Sequence, residues 1–111
     1  MNNNYKTDPN FMREPTDQEL IDTLKHVQFI NSEQEIQLNH RLSTGASLRT
    51  ALVAERFLSE KELESVDFGV RLLNAAVVNR PQLAIALFDE RTQGLRAEES
   101  LRVRGWLPPI A

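Results

Sequence analysis

The sequence contains no cysteine, which excludes disulfide staples, zinc knuckles and thiolate-held iron–sulfur clusters, and with them a disulfide-framed secreted scaffold. Histidine is almost as scarce. His26 and His40 are the only two, on different predicted helices and outside any metal-binding or catalytic motif, so neither a metal nor a catalytic imidazole is expected. Long apolar runs are missing as well: the longest, Leu83 to Phe88, is six residues, against the roughly 20 that span a bilayer. Membrane insertion is therefore not expected. The stretch from Met1 to Asp8 has neither the basic start nor the apolar middle of a signal peptide, and the expected compartment is the cytoplasm. Neither charge dominates, with 13 basic residues against 16 acidic and a net charge of −3, so there is no general attraction to nucleic acid or anionic lipid. No GxxxxGK[ST] phosphate loop occurs.

What remains is the texture of one small helical domain. The 111 residues are 41% hydrophobic, and a chain of this size buries about two thirds of its unfolded surface, enough for an unstapled core. Residues 1–15 are polar, rich in asparagine and broken by Pro9 and Pro15, which predicts a flexible N-terminal arm with Tyr5, Phe11 and Met12 as its only anchors. From Thr16 onward apolar residues recur three and four apart, the period of a helix face. Three starts carry the reciprocal chemistry of a capping box, Thr16 with Glu19, Asn31 with Gln34 and Ser59 with Glu62.

The predicted helices are 17–28 with Leu20, Ile21, Leu24 and Val27 inward, and 32–43 with Ile36, Leu38 and Leu42 inward, stopping at Gly45. A short helix follows Ser47 with Leu48, Ala51 and Leu52. A longer one follows Ser59 through Leu63, Val66, Val70 and Leu73 as far as Val77. The next starts at Pro81 and buries Leu83, Ala84, Leu87 and Phe88. The last covers 97–104 around Leu101. The predicted fold is all-α, a compact bundle of about six short helices over residues 16–107, with 108–111 as a C-terminal tail.

Shifting the sequence by 28 residues brings Leu20 onto Leu48, Leu24 onto Leu52, Phe29 onto Phe57, Ile30 onto Leu58, Asn31 onto Ser59 and Gln34 onto Glu62. Each copy is a helix, an aromatic–aliphatic pair and a capped second helix, a helical hairpin repeated once. The pair stands immediately before the cap, where an apolar residue folds back as a hydrophobic staple. One hairpin cannot bury its apolar face alone, so the copies are expected to pack on each other. Leu101 followed by Trp106 and Leu107 repeats half of the unit.

The segment Ser47 to Leu63, SLRTALVAERFLSEKEL, resembles the small helical module at the amino terminus of type II secretion and type IV pilus assembly ATPases, and the likeness extends over roughly 20–70. That module starts on arginine-leucine-glycine, places a glycine before an aliphatic pair, and ends in a capped helix leading to a glutamine. In some members the arginine, glycines and glutamine bind cyclic di-GMP. Here Ser47 stands for the arginine, Arg49 and Arg56 for the glycines, and Val70 for the glutamine. The apolar frame matches and the ligand positions do not, so the resemblance implies a packing plan and an interaction role. The ATPase domain itself has no counterpart in these residues.

The functional expectation is a non-catalytic interaction or regulatory module that binds another protein, within a secretion, motility or signalling assembly on the strength of the resemblance alone. The candidate contacts are Tyr5 and Phe11 in the arm and Trp106, Arg102 and Arg104 near the other end. Trp106 has two readings, a third core staple or an exposed anchor. The alternative function is a nucleotide second-messenger sensor gripping phosphate through Arg41, Arg49 and Arg56. The basic bias of Arg91, Arg96, Arg102 and Arg104 lacks interleaved exposed aromatics and does not read as a nucleic-acid surface. No cofactor is expected, and a small-molecule ligand is the lesser expectation beside a protein partner.

Overall fold

A computed structural model describes residues 5–108. A single 3₁₀ turn, Tyr5–Thr7, precedes seven helices: α1 Pro9–Met12, α2 Asp17–His26, α3 Ser32–Ser43, α4 Leu48–Ala54, α5 Glu60–Asn74, α6 Arg80–Gln93 and α7 Ala97–Val103. No strand occurs among the described residues. The shortest dimension is 20 Å, the thickness of two helices of about 10 Å each, and α5 runs through the middle with α1, α2, α4, α6 and α7 packed around it. The two halves of the repeat meet crosswise. Helix α2 of the first copy lies on α5 of the second, and α3 lies on α4, so each hairpin covers the apolar face that the other cannot cover alone.

The elbows are the most regular feature. Helices α2, α4, α5 and α7 each end beside a fully buried leucine, Leu24, Leu52, Leu72 and Leu101, whose carbonyl accepts from the amide five residues on. Those donors are Phe29, Phe57, Val77 and Trp106, at 2.9, 3.0, 3.0 and 2.9 Å. The residue before each donor sits in the left-handed region: Gln28, Arg56, Ala76 and Gly105, with φ of 63°, 61°, 58° and 76°. This is the Schellman closure, which satisfies carbonyls left over at a helix end. The residue after each donor, Ile30, Leu58, Val78 or Leu107, is then carried into the core. The third elbow, through Val77 and Val78, does not follow the spacing of 28 and has no aromatic, which is why the sequence pattern alone does not show it. Accordingly α5 stops at Asn74 rather than running to Val77, and Asn79 forms a fourth capping box with Gln82. Helix α6 therefore starts at Arg80, one residue before Pro81.

Two side chains expected inside are outside: Ile36 is 67% exposed and Phe88 59%. Helix α3 rests mainly on α4 and buries a narrow stripe around Leu38; Ile36, two residues earlier, stands about 200° round the helix from it. In α6 the inward stripe is Leu83, Ala86 and Leu87, and Phe88 is turned off it. The arm also departs from expectation. From Tyr5 onward it is folded on α5, with Pro15 buried and Tyr5 and Phe11 packed against the core. Residues 1–4 and the end of the expected tail, 109–111, lie outside the described residues.

Candidate functional site

A concavity opens between α5, the α6–α7 turn and α7, and polar ties to α6 set its walls. Helix α6 ends on Gly94, and the chain returns into α7 with no side-chain cap of its own at Arg96. Glu90 supplies the missing acceptor. Its Oε1 takes the amide of Ala97 at 2.7 Å and the hydroxyl of Ser65 at 2.6 Å, joining α6, α7 and α5 through one carboxylate. Beside it, Asp89 Oδ2 accepts from Ser100 Oγ at 2.7 Å and from Arg104 Nη2 at 2.8 Å. These hydrogen bonds, Ser100's foremost and then Arg104's, hold the Asp89 carboxyl below the usual carboxylate range. A buried carboxylate without them would cost several kcal/mol, roughly, so the pairing fixes α7 against α6.

Between α5 and α7 lies a groove of about 810 Å³. Phe68 and Leu95 supply its apolar surface, and Glu64, Arg96, Glu98, Glu99 and Arg102 its charged rim. Arg102 pairs with Glu98 at 2.8 Å and approaches Glu99 at 3.7 Å. The arm closes in from one end. Phe11 meets Phe68 edge-on at 5.8 Å, and Tyr5 meets Phe11 at 5.3 Å. Burial raises the Tyr5 hydroxyl above its ordinary pKa, the Glu98 charge adds to this, and the Arg102 guanidinium against the hydroxyl partly offsets it.

Of the sequence candidates, the structure thus gathers Tyr5, Phe11 and Arg102 on one face. Trp106 is half-buried in the fourth elbow, packed on the core with the Arg104 guanidinium 5.4 Å from its ring centroid, and Arg104 itself is tied to Asp89. Neither belongs to the groove. Arg41 is held by Glu55 at 2.8 Å and Arg49 by Asp67 at 2.7 Å, whereas Arg56 is the exposed left-handed residue of the second elbow. A phosphate gripping Arg41 and Arg49 would have to displace carboxylates already in place. His26 and His40 are exposed on separate helices, and among the described residues no three His, Cys, Asp or Glu side chains are grouped to hold a metal.

A second concavity of about 680 Å³ lies between α2 and the α5–α6 elbow, edged by Glu19, Asp22, Asn74 and Arg80. Its lining is more polar, and of the arm it meets only the root, where Glu19 accepts from Arg13.

Sequence reasoning missed Phe68, Leu95 and Arg71. Phe68 left a readable trace: it falls between the inward positions Val66 and Val70, off their stripe, which is where a helix shows an aromatic to a second neighbour. Among the described residues no helix is long and apolar enough to cross a membrane. No protein-family model, curated protein or solved structure matches the chain.

Proposed function

We propose that this chain is a non-catalytic protein–protein interaction module, with the α5–α7 groove as its contact surface, acting in the cytoplasm within a secretion, motility or signalling assembly. The observation that carries the reading is the groove itself: apolar ground at Phe68 and Leu95 inside a rim bearing both charge signs. That is the anatomy of a contact in which apolar anchors supply the affinity and surrounding charges set register and partner choice. Its walls are fixed by Asp89, Glu90 and Ser100, so little ordering entropy is lost when it is occupied. The assembly named here rests on the sequence resemblance, and the groove is neutral about it.

The test is site-specific photo-crosslinking in native cells. A benzophenone side chain at position 95 is expected to capture one discrete partner, while the same group at Gln37, exposed on α3, captures none. Equal, diffuse labelling from both positions would remove the proposal.

A further inference from the structure

The arm is seated on α5 in a way that separates a built receptor from a weakly held guest. Arg71 Nη1 donates to the carbonyls of Phe11 at 3.2 Å and Met12 at 3.1 Å, acceptors that the end of α1 leaves without helical partners. Arg71 is itself aimed by Asp67, whose Oδ1 accepts from its Nε at 2.6 Å while Oδ2 pairs with Arg49 at 2.7 Å. The receptor is therefore Phe68 for an aromatic ring and Arg71 for a helix end, both mounted on the central helix. The guest has little holding it in shape. Helix α1 is four residues long, far below the roughly 12 at which an isolated helix begins to persist. Neither it nor the 3₁₀ turn contains a buried residue, and Met12 is 64% exposed.

The same Phe68 that receives Phe11 also forms the ground of the open groove leading to Leu95. One end of a continuous surface is filled and the other is open. The root of the arm, by contrast, is pinned: Arg13 makes two hydrogen bonds to Glu19, at 3.0 and 2.9 Å, and Pro15 is buried. A second copy donating its arm in exchange would have to break that root. An outside segment need only lift the tip, Tyr5 to Met12.

We propose that the surface running from Arg71 past Phe68 to Leu95 is the docking site for a short helical segment of a partner protein, with aromatic side chains on one face. The chain's own arm occupies the Phe68 end as an intramolecular stand-in until that segment displaces it. The inference rests on the interaction-module reading and adds to it the chemistry of the partner and a built-in competitor. A competitor in cis lowers apparent affinity by the fraction of molecules whose arm is seated.

The probe is a dye-labelled synthetic peptide of residues 1–15, titrated by fluorescence anisotropy into the full-length chain. Phe11→Ala protein, its arm no longer competing, is expected to bind the peptide saturably and about tenfold more tightly than wild type. Adding Arg71→Ala to Phe11→Ala is expected to lose that binding. Circular dichroism confirms that both variants stay folded, since neither change touches a fully buried side chain. Equal affinity for wild type and Phe11→Ala, no saturable binding to Phe11→Ala, or binding that survives Arg71→Ala overturns the proposal. So does a wild-type dimer in sedimentation that Phe11→Ala dissolves, which would give the surface to a second copy. Photo-crosslinking at position 95 reports separately: a discrete partner there alongside failed peptide binding keeps the interaction module and removes the stand-in arm.

Discussion

Gly69→Ala tests how the central helix meets α6. Alanine is the better helix former by about 1 kcal/mol, so in an open helix the change would stabilise the protein. Gly69 is not in the open. A Cβ built there lies 2.8 Å from Leu83 Cδ2 and nearer still to Cδ1, where carbon atoms at rest sit about 3.5–4.0 Å apart. Leu83 is 1% exposed, so to admit the new carbon either its packed methyls or the spacing of α5 and α6 must shift. Overpacking of this kind costs about 1–3 kcal/mol, which outweighs the propensity gain and leaves a net loss of about 1 kcal/mol. For a domain of this size that lowers the Tm by roughly 4 °C.

A double-mutant cycle makes the argument sharper. Leu83→Ala alone should cost about 2–5 kcal/mol, but in that background the clashing methyls are gone. Gly69→Ala should then stabilise by its propensity, about 1 kcal/mol, so the substitution changes sign between the two backgrounds. Urea unfolding followed at 222 nm gives all four free energies, with an unchanged m-value as the check that the unfolded state is unaltered. If Gly69→Ala raises stability by the same amount with leucine or alanine at position 83, the close approach is not what the glycine serves.

The left-handed elbow at Ala76, φ 58°, strains an L-residue by about 1–2 kcal/mol. Glycine gives up about 0.4–1 kcal/mol of that relief through its freer unfolded chain, so Ala76→Gly should raise the unfolding free energy read from urea titration by about 0.5–1 kcal/mol. Gly105→Ala should lower it. Ser100→Ala removes one of two hydrogen bonds to buried Asp89 and should cost about 2 kcal/mol, with NMR titration showing the Asp89 carboxyl moved back up toward its ordinary range. Glu19 is held down to about 2 by the Arg13 hydrogen bond first and the Thr16 amide second. Its folded value lies below its unfolded one, so its contribution is fully present above about pH 4.5 and disappears as pH falls toward 2. Glu19→Gln should therefore destabilise at pH 7 by about 1 kcal/mol and match wild type near pH 2. A mutant gap that persists in acid would refute that cause.

The parts legible in sequence are those whose cause lies within one helical turn. Thr16, Asn31 and Ser59 cap because a short acceptor meets an amide three residues on, and the structure has all three boxes. The leucine, the left-handed residue and the apolar pair of an elbow fit within seven positions, so Phe29–Ile30 and Phe57–Leu58 announced two elbows and Trp106–Leu107 a third. Asn79 obeys the same local rule, and the neighbouring Pro81 obscured it by suggesting a later start.

The candidate site was not local. Phe11 and Arg71 are 60 residues apart in the chain, as remote as any pair chosen at random, and nothing in either neighbourhood specifies the other. Whether Ile36 and Phe88 face inward depends on how many helices press on α3 and α6, a property of the assembled layers. Glu90 is a plain acid in the sequence and a cap for another helix once α7 is folded against α6. Helix type and helix ends thus followed from short-range hydrogen bonding and staggered apolar spacing that the residues carry with them. Which faces remained open, and which side chains met around Phe68, was settled by packing between distant segments, because those contacts exist only after the chain has closed on itself.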